Sequence, residues 1–259
     1  MKIVFISNIL SPHQLHLCDE WVNMGVDLTF IETMNIDKET LPTGWKFTGG
    51  RDYLIDYAQF TCRQTEIRSR ILDADAVILG SAPKHLLQER LKRGKLTFIY
   101  SERIYKNLKQ VLKWPYHLWK YSRMYGRYEN LYLLCASAFS AADYRKVGCF
   151  KDKAYKWGYF TEVKDFDIEA SLDVSMSETA HLMWCARFLT LKHPELPVKM
   201  ARILKDKGYR FTLDMYGSGV ELENTKNLAK EFGVEDIVFF KGDTPNKDVL
   251  GAMRNHDIF

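Results

Sequence analysis

The sequence lacks the features of a secreted, disulfide-stabilised protein. Its five cysteines are odd in number and scattered, and no two of them form a C-x-x-C pair. This pattern provides no zinc site and is typical of reduced thiols, so it predicts a reducing compartment. The apolar run in the first seven residues is too short for a signal peptide. We therefore expect a cytoplasmic protein.

Long apolar runs, a strong charge and a dinucleotide fingerprint are also missing. No run approaches the roughly 18 residues of a membrane-spanning helix, so we expect a soluble or peripheral protein. The net charge of +4 is too weak to indicate nucleic-acid binding by itself. Residues 8–14, which follow the first predicted strand, contain no glycine, and the absent G-x-G-x-x-G motif argues against an NAD or FAD enzyme.

Predicted strands alternate with helical segments along most of the 259 residues, which is typical of βαβ units with a parallel sheet. A polar stretch rich in Asp, Glu and Ser interrupts the alternation between Thr161 and Thr179. We therefore predict a first Rossmann-like domain at 1–165, a linker at 166–179 and a second Rossmann-like domain at 180–259. Two such domains predict a ligand in a cleft between them, at the carboxyl ends of the strands.

The second domain has three predicted βα units, where a complete doubly wound domain has five or six strands. Residues 257–259 have the pattern of a further strand. We therefore expect this domain to be partial and the chain to be a truncated form of a longer protein.

The first candidate site follows the apolar run at 182–186. Arg187 ends this predicted strand, Lys192 comes five positions later, and Pro194 and Glu195 predict the first turn of a helix. A guanidinium binds phosphate oxygens as a fork, an ammonium adds a point charge, and a helix N-terminus adds N–H donors. The alternative is an ordinary exposed loop with two solvated cations.

Two loops with glycines end the next two predicted strands. Gly217 and Gly219 lie in the first loop and Gly242 lies in the second. Such glycines allow backbone N–H groups to approach a phosphate, although each also fits a tight turn. Because consecutive parallel strands end at one edge of a sheet, the three loops are predicted to converge, and this convergence favours an anion site.

In the first domain, His13 and Glu102 follow predicted strands at the carboxyl edge. His13 can hydrogen-bond a hydroxyl-rich substrate, and Glu102 can accept hydrogen bonds from a sugar. A histidine that caps or packs locally, and a Glu102–Arg103 surface pair, are the alternatives.

The densest basic stretch covers residues 106–127, where six Lys and Arg residues are interleaved with five Trp and Tyr residues. This composition suits an anionic membrane surface or a lipid diphosphate, single-stranded nucleic acid, or an amphipathic helix with a buried aromatic face. Nothing else in the sequence supports nucleic acid, so membrane contact is preferred and no nucleic-acid partner is expected.

These motifs, in this order, resemble glycosyltransferase family 4, the retaining GT-B enzymes. Residues 184–195 are similar to the donor-phosphate segment of that family, and residues 216–219 and 238–242 to the G-x-G and V-x-F-x-G motifs that follow it. Further segments resemble a bacterial subgroup linked to surface polysaccharide assembly: residues 5–8, 13–14, 101–103, 134–138 and 156–160.

The resemblance implies an α/β fold of GT-B type, with two Rossmann-like domains facing across a cleft and the second incomplete. It implies transfer of a sugar from a nucleotide-sugar to an acceptor hydroxyl on a glycan or lipid-linked acceptor, with retention and without metal or cofactor. Such an enzyme would be cytoplasmic, with a peripheral position at the inner membrane face through 106–127 as the further expectation.

By position in the family motifs, Arg187 and Lys192 would neutralise the donor diphosphate as catalytic groups, and Gly217, Gly219 and Gly242 would complete the donor site. His13 and Glu102 would act on the sugar and acceptor side. The family's E-x7-E element is expected beyond Phe259. A truncated, non-catalytic nucleotide- or membrane-binding remnant is the alternative function.

Overall fold

A computed structural model describes residues 1–35, 50–163 and 178–259. These residues form two compact units, 1–35 with 50–163 and 178–259. Most of the predicted linker, 166–179, lies outside the described residues. Each unit is an α/β structure with its own parallel sheet.

The first unit is built on a seven-stranded sheet of order β3-β2-β1-β4-β5-β6-β7, with every adjacent pair parallel. The strands are β1 (Lys2–Ser7), β2 (Asp27–Glu32), β3 (Leu54–Ile55), β4 (Ala76–Leu79), β5 (Thr97–Ser101), β6 (Leu131–Cys135) and β7 (Ala154–Lys156). The helices are α1 (Pro12–Asn23), α2 (Tyr57–Cys62), α3 (Gln64–Asp73), α4 (Gln88–Lys92), α5 (Leu108–Leu112), α6 (Trp114–Tyr125) and α7 (Ser140–Lys146), with a 3-10 turn at Lys84–Leu87.

The central strands are apolar on both faces, because clusters of side chains cover both sides of the sheet. Val4 and Ile6 of β1 pack into one cluster, and Ile3 and Phe5 pack into the other. A strand buried on both sides reads as a continuous apolar run instead of an alternating pattern. Because every adjacent pair is parallel, the carboxyl ends of all seven strands meet the same edge of the sheet.

A buried arginine joins the elements at the amino edge of this sheet. Arg90 of α4 is 0% exposed, and burial lowers its pKa. Its guanidinium donates five hydrogen bonds of 2.7 to 3.2 Å, to the carbonyls of Ile71, Ala74, Asp75 and Leu96 and to Thr97 Oγ1. All five N–H groups of the guanidinium therefore bind acceptors within the fold.

One element of the first unit differs from its sequence pattern. Residues 53–59 have the pattern of a short strand, but the strand is limited to β3, and helix α2 follows because Asp56 caps it, accepting from the Gln59 N–H at 2.8 Å. This Asp-x-x-Gln pair is a capping box, a helix-start signal. The mostly helical pattern of residues 105–127 predicts a break near Trp114 and Pro115, and this break is confirmed: α5 ends at Leu112 and α6 starts at Trp114.

The second unit has a three-stranded sheet of order β10-β9-β8, with both pairs parallel. Its strands are β8 (Ala180–Cys185), β9 (Phe211–Tyr216) and β10 (Val238–Gly242), and its helices are α8 (Glu195–Asp206), α9 (Leu222–Glu231) and α10 (Asn246–Met253). Ile258 forms a parallel bridge with Leu182, and its carbonyl accepts from the Met183 N–H at 2.8 Å. Residues 257–259, which have the sequence pattern of a further strand, therefore contribute one isolated bridge beside β8.

Candidate functional site

The loop after β8 carries both predicted cations. Arg187 and Lys192 are exposed, with Phe188 fully buried between them in the sequence. A 3-10 turn covers Thr190–Lys192, and His193 takes a left-handed conformation with φ of 50° before α8 begins at Glu195. Phe188 anchors the loop in the core, so that the two cationic side chains project from a fixed backbone.

The three predicted loops are joined by backbone hydrogen bonds. The Phe188 N–H donates to the Ser218 carbonyl at 2.7 Å, and the Phe188 carbonyl accepts from the Glu221 N–H at 3.0 Å. The Gly217 N–H donates to the Gly242 carbonyl at 2.8 Å. The structure therefore brings the loops of Arg187, Gly217 and Gly242 together at one edge of the sheet.

Gly217 and Gly219 are required here by the close approach of the neighbouring loop. A Cβ on Gly217 would lie 2.2 Å from the Ala186 carbonyl oxygen, and a Cβ on Gly219 would lie 2.4 Å from the Phe188 carbonyl oxygen. Their φ angles of 122° and 146° also disfavour any other residue. The glycines thus allow the loops to pack closely, which is the role that the alternative of a tight turn predicts for them.

Two of the expected backbone donors are already engaged within the protein. The Gly217 N–H serves Gly242. At the start of α8, the Glu195 carboxylate has a lowered pKa because it accepts from its own backbone N–H and from His193 Nδ1, which lies 3.0 Å away. A ligand anion at this edge would therefore depend chiefly on side-chain cations.

The acidic side chains near this edge have donors of their own. Glu221 accepts from Thr190 Oγ1 at 2.7 Å and from Asn224 at 3.0 Å, and these two hydrogen bonds lower its pKa. Asp243 accepts from Ser218 Oγ at 2.6 Å. By contrast, Arg187 and Lys192 have no ion-pair partner within the described residues. These hydrogen bonds engage the carboxylates without removing their charge, whereas the two cations, which have no ion-pair partner there, are available to bind an anion.

At the carboxyl edge of the first sheet, His13 and Glu102 are linked through Tyr159. The Glu102 carboxylate accepts from the Tyr159 hydroxyl and from Lys106 Nζ. The Tyr159 ring lies against His13, with the ring centres 4.7 Å apart. His13 stands in the first turn of α1, whose Ser11 and Gln14 form a capping box. Both predicted residues thus belong to one polar and aromatic cluster.

Tyr159 was not predicted as a site residue. It belongs to the coil after β7, and the Phe160 N–H fixes that coil by donating to the His13 carbonyl at 2.9 Å. Burial and the hydrogen bond to Glu102 raise the pKa of Tyr159. The segment 156–160 was quoted for its resemblance alone, and no spacing rule connects it to position 102, so only the tertiary fold could reveal the contact.

The basic stretch forms an amphipathic surface on α5 and α6. His117 and Tyr125 face the core, while Trp119 is 61% exposed and Leu112 is 74% exposed. Lys120 Nζ lies 5.5 Å from the Tyr116 ring centre, and the Arg123 guanidinium lies 6.0 Å from the Trp119 ring. The stretch thus combines a buried aromatic face with an exposed face of cations and large apolar side chains.

In the part of the chain that the structure describes, no group of three His, Cys, Asp or Glu side chains could hold a metal ion. Across the same residues, no helix has the length and apolar character needed to cross a membrane.

The sequence of the second unit matches a known family model. Residues 177–259, about a third of the chain, match the model of the glycosyl transferases group 1 family. No curated protein matches the chain by sequence.

Several solved structures share the fold. Apo WaaB, a lipopolysaccharide outer core galactosyltransferase, is 14% identical with a TM-score of 0.61, covering 98% of this chain and 72% of its own. A glycosyltransferase from Rickettsia africae ESF-5 is 12% identical with a TM-score of 0.62, covering 99% and 72%. An alpha-glucosyltransferase in complex with UDP-glucose and DNA containing an abasic site is 14% identical with a TM-score of 0.54, covering 98% and 70%.

The matches extend over both units, whereas the family model covers the second unit alone. Structural similarity at sequence identities of 12–14% shows a shared fold. The chain therefore has the α/β fold of the GT-B glycosyltransferases, and its residues 177–259 carry the sequence pattern of the glycosyl transferases group 1 family.

Proposed function

We propose that this protein transfers a sugar from a nucleotide-sugar to an acceptor hydroxyl with retention of anomeric configuration. The observation that carries the proposal is the second unit, where the group 1 family match coincides with an edge at which Arg187 and Lys192 have no ion-pair partner among the described residues. A structural neighbour solved with UDP-glucose supports a nucleotide-sugar as the donor class.

On this proposal, Arg187 and Lys192 stabilise the leaving group. When the bond from the anomeric carbon to the diphosphate breaks, the electron pair stays on the departing oxygen, and negative charge grows there. Cations that are already held in place lower the barrier, because they need no reorganisation as this charge develops. Each charge-assisted hydrogen bond contributes roughly 1.5–3 kcal/mol.

His13 and Glu102 would serve the sugar and acceptor side. The Glu102 carboxylate can accept from a sugar hydroxyl in addition to Tyr159 and Lys106, because a carboxylate has about four lone-pair sites. His13 packs against Tyr159, which orients both groups. Gly217, Gly219 and Gly242 would support the donor site by holding its loops together.

Calorimetry with the purified chain tests the donor site. Arg187→Ala should weaken binding of a nucleoside diphosphate about 10- to 100-fold, as expected for the loss of a charge-assisted contact. Arg254→Ala is the matched control, since this exposed arginine follows α10 at the opposite end of its βα unit. Unchanged affinity in Arg187→Ala would show that the phosphate site lies elsewhere.

The donor, the stereochemistry and the metal requirement need separate measurements. Screening UDP-, GDP- and ADP-sugars identifies the donor, and NMR of the new glycosidic bond should show the anomeric configuration of the donor. Activity should persist in EDTA if the cations replace a metal. Binding without turnover of any donor would favour the alternative, a non-catalytic nucleotide-binding remnant.

We further propose that the exposed face of α5 and α6 contacts an anionic membrane surface, as suits a glycan or lipid-linked acceptor in bacterial surface polysaccharide synthesis. Between Glu102 and Glu129 there is no acidic residue, and the segment carries seven Lys and Arg residues. Each cation near an anionic surface contributes about 1 kcal/mol, and exposed side chains such as Leu112 and Trp119 can enter the interface.

Sedimentation with vesicles tests this surface. The protein should bind phosphatidylglycerol-containing vesicles and not phosphatidylcholine vesicles. Lys109→Glu with Lys113→Glu should release it, while Lys207→Glu on the second unit should not. Equal binding to both vesicle types would remove the proposal.

A further inference from the structure

The first unit contains a second pair of cations without counter-charges. Lys84 follows β4, and Lys120 lies on α6. Lys84 Nζ lies 5.3 Å from the centre of the Tyr121 ring, and Lys120 Nζ lies 5.5 Å from the same centre. Lys84 Nζ also lies 4.9 Å from the Tyr125 ring centre. Neither ammonium has a carboxylate within ion-pair distance among the described residues.

The positive charges of Lys84 and Lys120 repel each other. Burial, with a further contribution from the charge of Lys120, lowers the pKa of Lys84 to about 8. The acid of the surrounding elements is already engaged, since the Asp143 carboxylate accepts from Arg103 Nε at 3.2 Å and from the Tyr105 N–H at 3.1 Å. An anion between the two ammonium groups would relieve their repulsion.

The aromatic layer beneath these cations has buried polar atoms without partners. The Tyr125 hydroxyl, the Tyr105 hydroxyl and His117 Nδ1 make no hydrogen bond within the described part of the chain. Their residues are only 4%, 7% and 6% exposed. The Tyr105 and His117 rings stack with centres 5.6 Å apart, and His117 contacts Tyr121 at 5.7 Å. Buried polar groups nearly always have a partner, so such a cluster indicates a missing ligand or water.

We propose that Lys84, Lys120 and the Tyr121–Tyr125 face form a subsite for a phosphate or diphosphate group. The two ammonium groups supply charge, and the Tyr125 hydroxyl, on the ring that Lys84 covers, supplies a donor. Part of the Lys84 side chain remains open to solvent although its ammonium lies against the two rings, so an anion can reach it.

The position of this subsite suggests which molecule carries the anion. β4 and β5 are adjacent parallel strands, so the loops that lead to Lys84 and to Glu102 leave the same edge of the sheet. An acceptor that presents its hydroxyl to Glu102 would place a phosphate of its own toward Lys84. This assignment to the acceptor rests on the proposed function, whereas anion binding itself does not.

Binding of inorganic pyrophosphate tests the subsite in a variant that lacks the two cations of the proposed donor site. The variant Arg187→Ala/Lys192→Ala should still bind pyrophosphate at one site. Adding Lys84→Met should remove that binding, and Lys120→Met should weaken it about tenfold. Lys92→Met, an exposed lysine on α4 of the same unit, should leave it unchanged.

Acylation of amines at pH 8, followed by mass spectrometry, gives a second readout. Pyrophosphate should protect Lys84, because a bound anion raises its pKa and shields it, and should not protect Lys92. Protection by phosphatidylglycerol vesicles but not by pyrophosphate would assign the anion to a membrane and overturn the subsite.

The two proposals fail in distinguishable ways. If the Arg187→Ala/Lys192→Ala variant is folded and binds no pyrophosphate while the wild type binds it, the subsite is wrong and the donor site stands. If Lys84→Met in that background binds as before, the residues are misassigned and the subsite is equally wrong. If the subsite binds pyrophosphate but a nucleoside diphosphate binds the wild type and the Arg187→Ala/Lys192→Ala variant with equal affinity, the proposed function fails and the subsite stands.

Discussion

Arg90 in the first unit and Arg187 in the second show two opposite uses of the same side chain. Arg90 is fully buried and donates to four backbone carbonyls and one hydroxyl. Arg187 is exposed and has no ion-pair partner among the residues described. A guanidinium with every donor satisfied contributes to the architecture, whereas one left open at a sheet edge is available to a ligand. Lys192, Lys84 and Lys120 belong with Arg187 in this respect.

This comparison predicts separable effects. Removing a satisfied cation should lower the free energy of unfolding and leave ligand affinity unchanged. Removing a cation that has no partner should weaken ligand binding and leave the free energy of unfolding unchanged. The four substitutions below are ordered by the size of the expected effect.

Arg90→Met should lower the free energy of unfolding of the first unit by about 3–5 kcal/mol, because it removes the partner of five buried acceptors. Urea denaturation followed by hydrogen exchange measures this loss unit by unit. Arg93→Met, three residues later and exposed in an ion pair with Glu89, should cost under about 1 kcal/mol. Equal costs for the two variants would contradict the architectural role of Arg90.

Gly217→Ala should destabilise the second unit by about 3 kcal/mol, since its Cβ would overlap the Ala186 carbonyl at a backbone angle unfavourable for alanine. Nucleotide affinity should fall with it, because the loops separate. In the control Gly251→Ala, the new methyl group meets nothing within 4 Å and sits in helix α10, so stability should hold or rise. A stable Gly217→Ala variant that has lost only nucleotide binding would instead assign this glycine to the ligand.

Arg187→Lys should weaken nucleoside diphosphate binding about tenfold, because lysine keeps the charge but loses the two-pronged geometry of the guanidinium. The unfolding free energy should stay within about 0.5 kcal/mol of the wild type. Lys192→Arg should keep most of the affinity. Calorimetry and denaturation on the same samples separate the two effects. A destabilised Arg187→Lys variant would show that this arginine stabilises the fold, as Arg90 does.

Tyr159→Phe removes one donor from Glu102 while Lys106 remains. We expect kcat/KM for the acceptor to fall about five- to tenfold, which corresponds to about 1–1.4 kcal/mol, the net value of a typical hydrogen bond, with the KM of the donor unchanged. Tyr155→Phe is the control, because this equally exposed tyrosine of β7 does not contact Glu102. An effect on the donor KM instead would show that Tyr159 serves the nucleotide-sugar.

Much of each unit could be predicted from the sequence. The apolar runs of β1 and β8 indicated buried parallel strands, and Pro194 and Glu195 indicated the start of α8. The pattern of residues 257–259 predicted the opening of a further strand, and the structure has an isolated bridge there between Ile258 and Leu182. The helix α2 was missed, since a six-residue helix has little periodicity and its signal lies in the Asp56 and Gln59 cap.

The sequence by itself determined which loops lie together: parallel strands end at one edge, so Arg187, Gly217 and Gly242 had to become neighbours. It could not determine which groups in those loops remain open to a ligand. The tertiary structure decided that Gly217 donates its N–H to Gly242, that Tyr159 meets Glu102, and that Lys84 lacks a counter-charge. These outcomes depend on contacts between distant segments, which local periodicity does not encode.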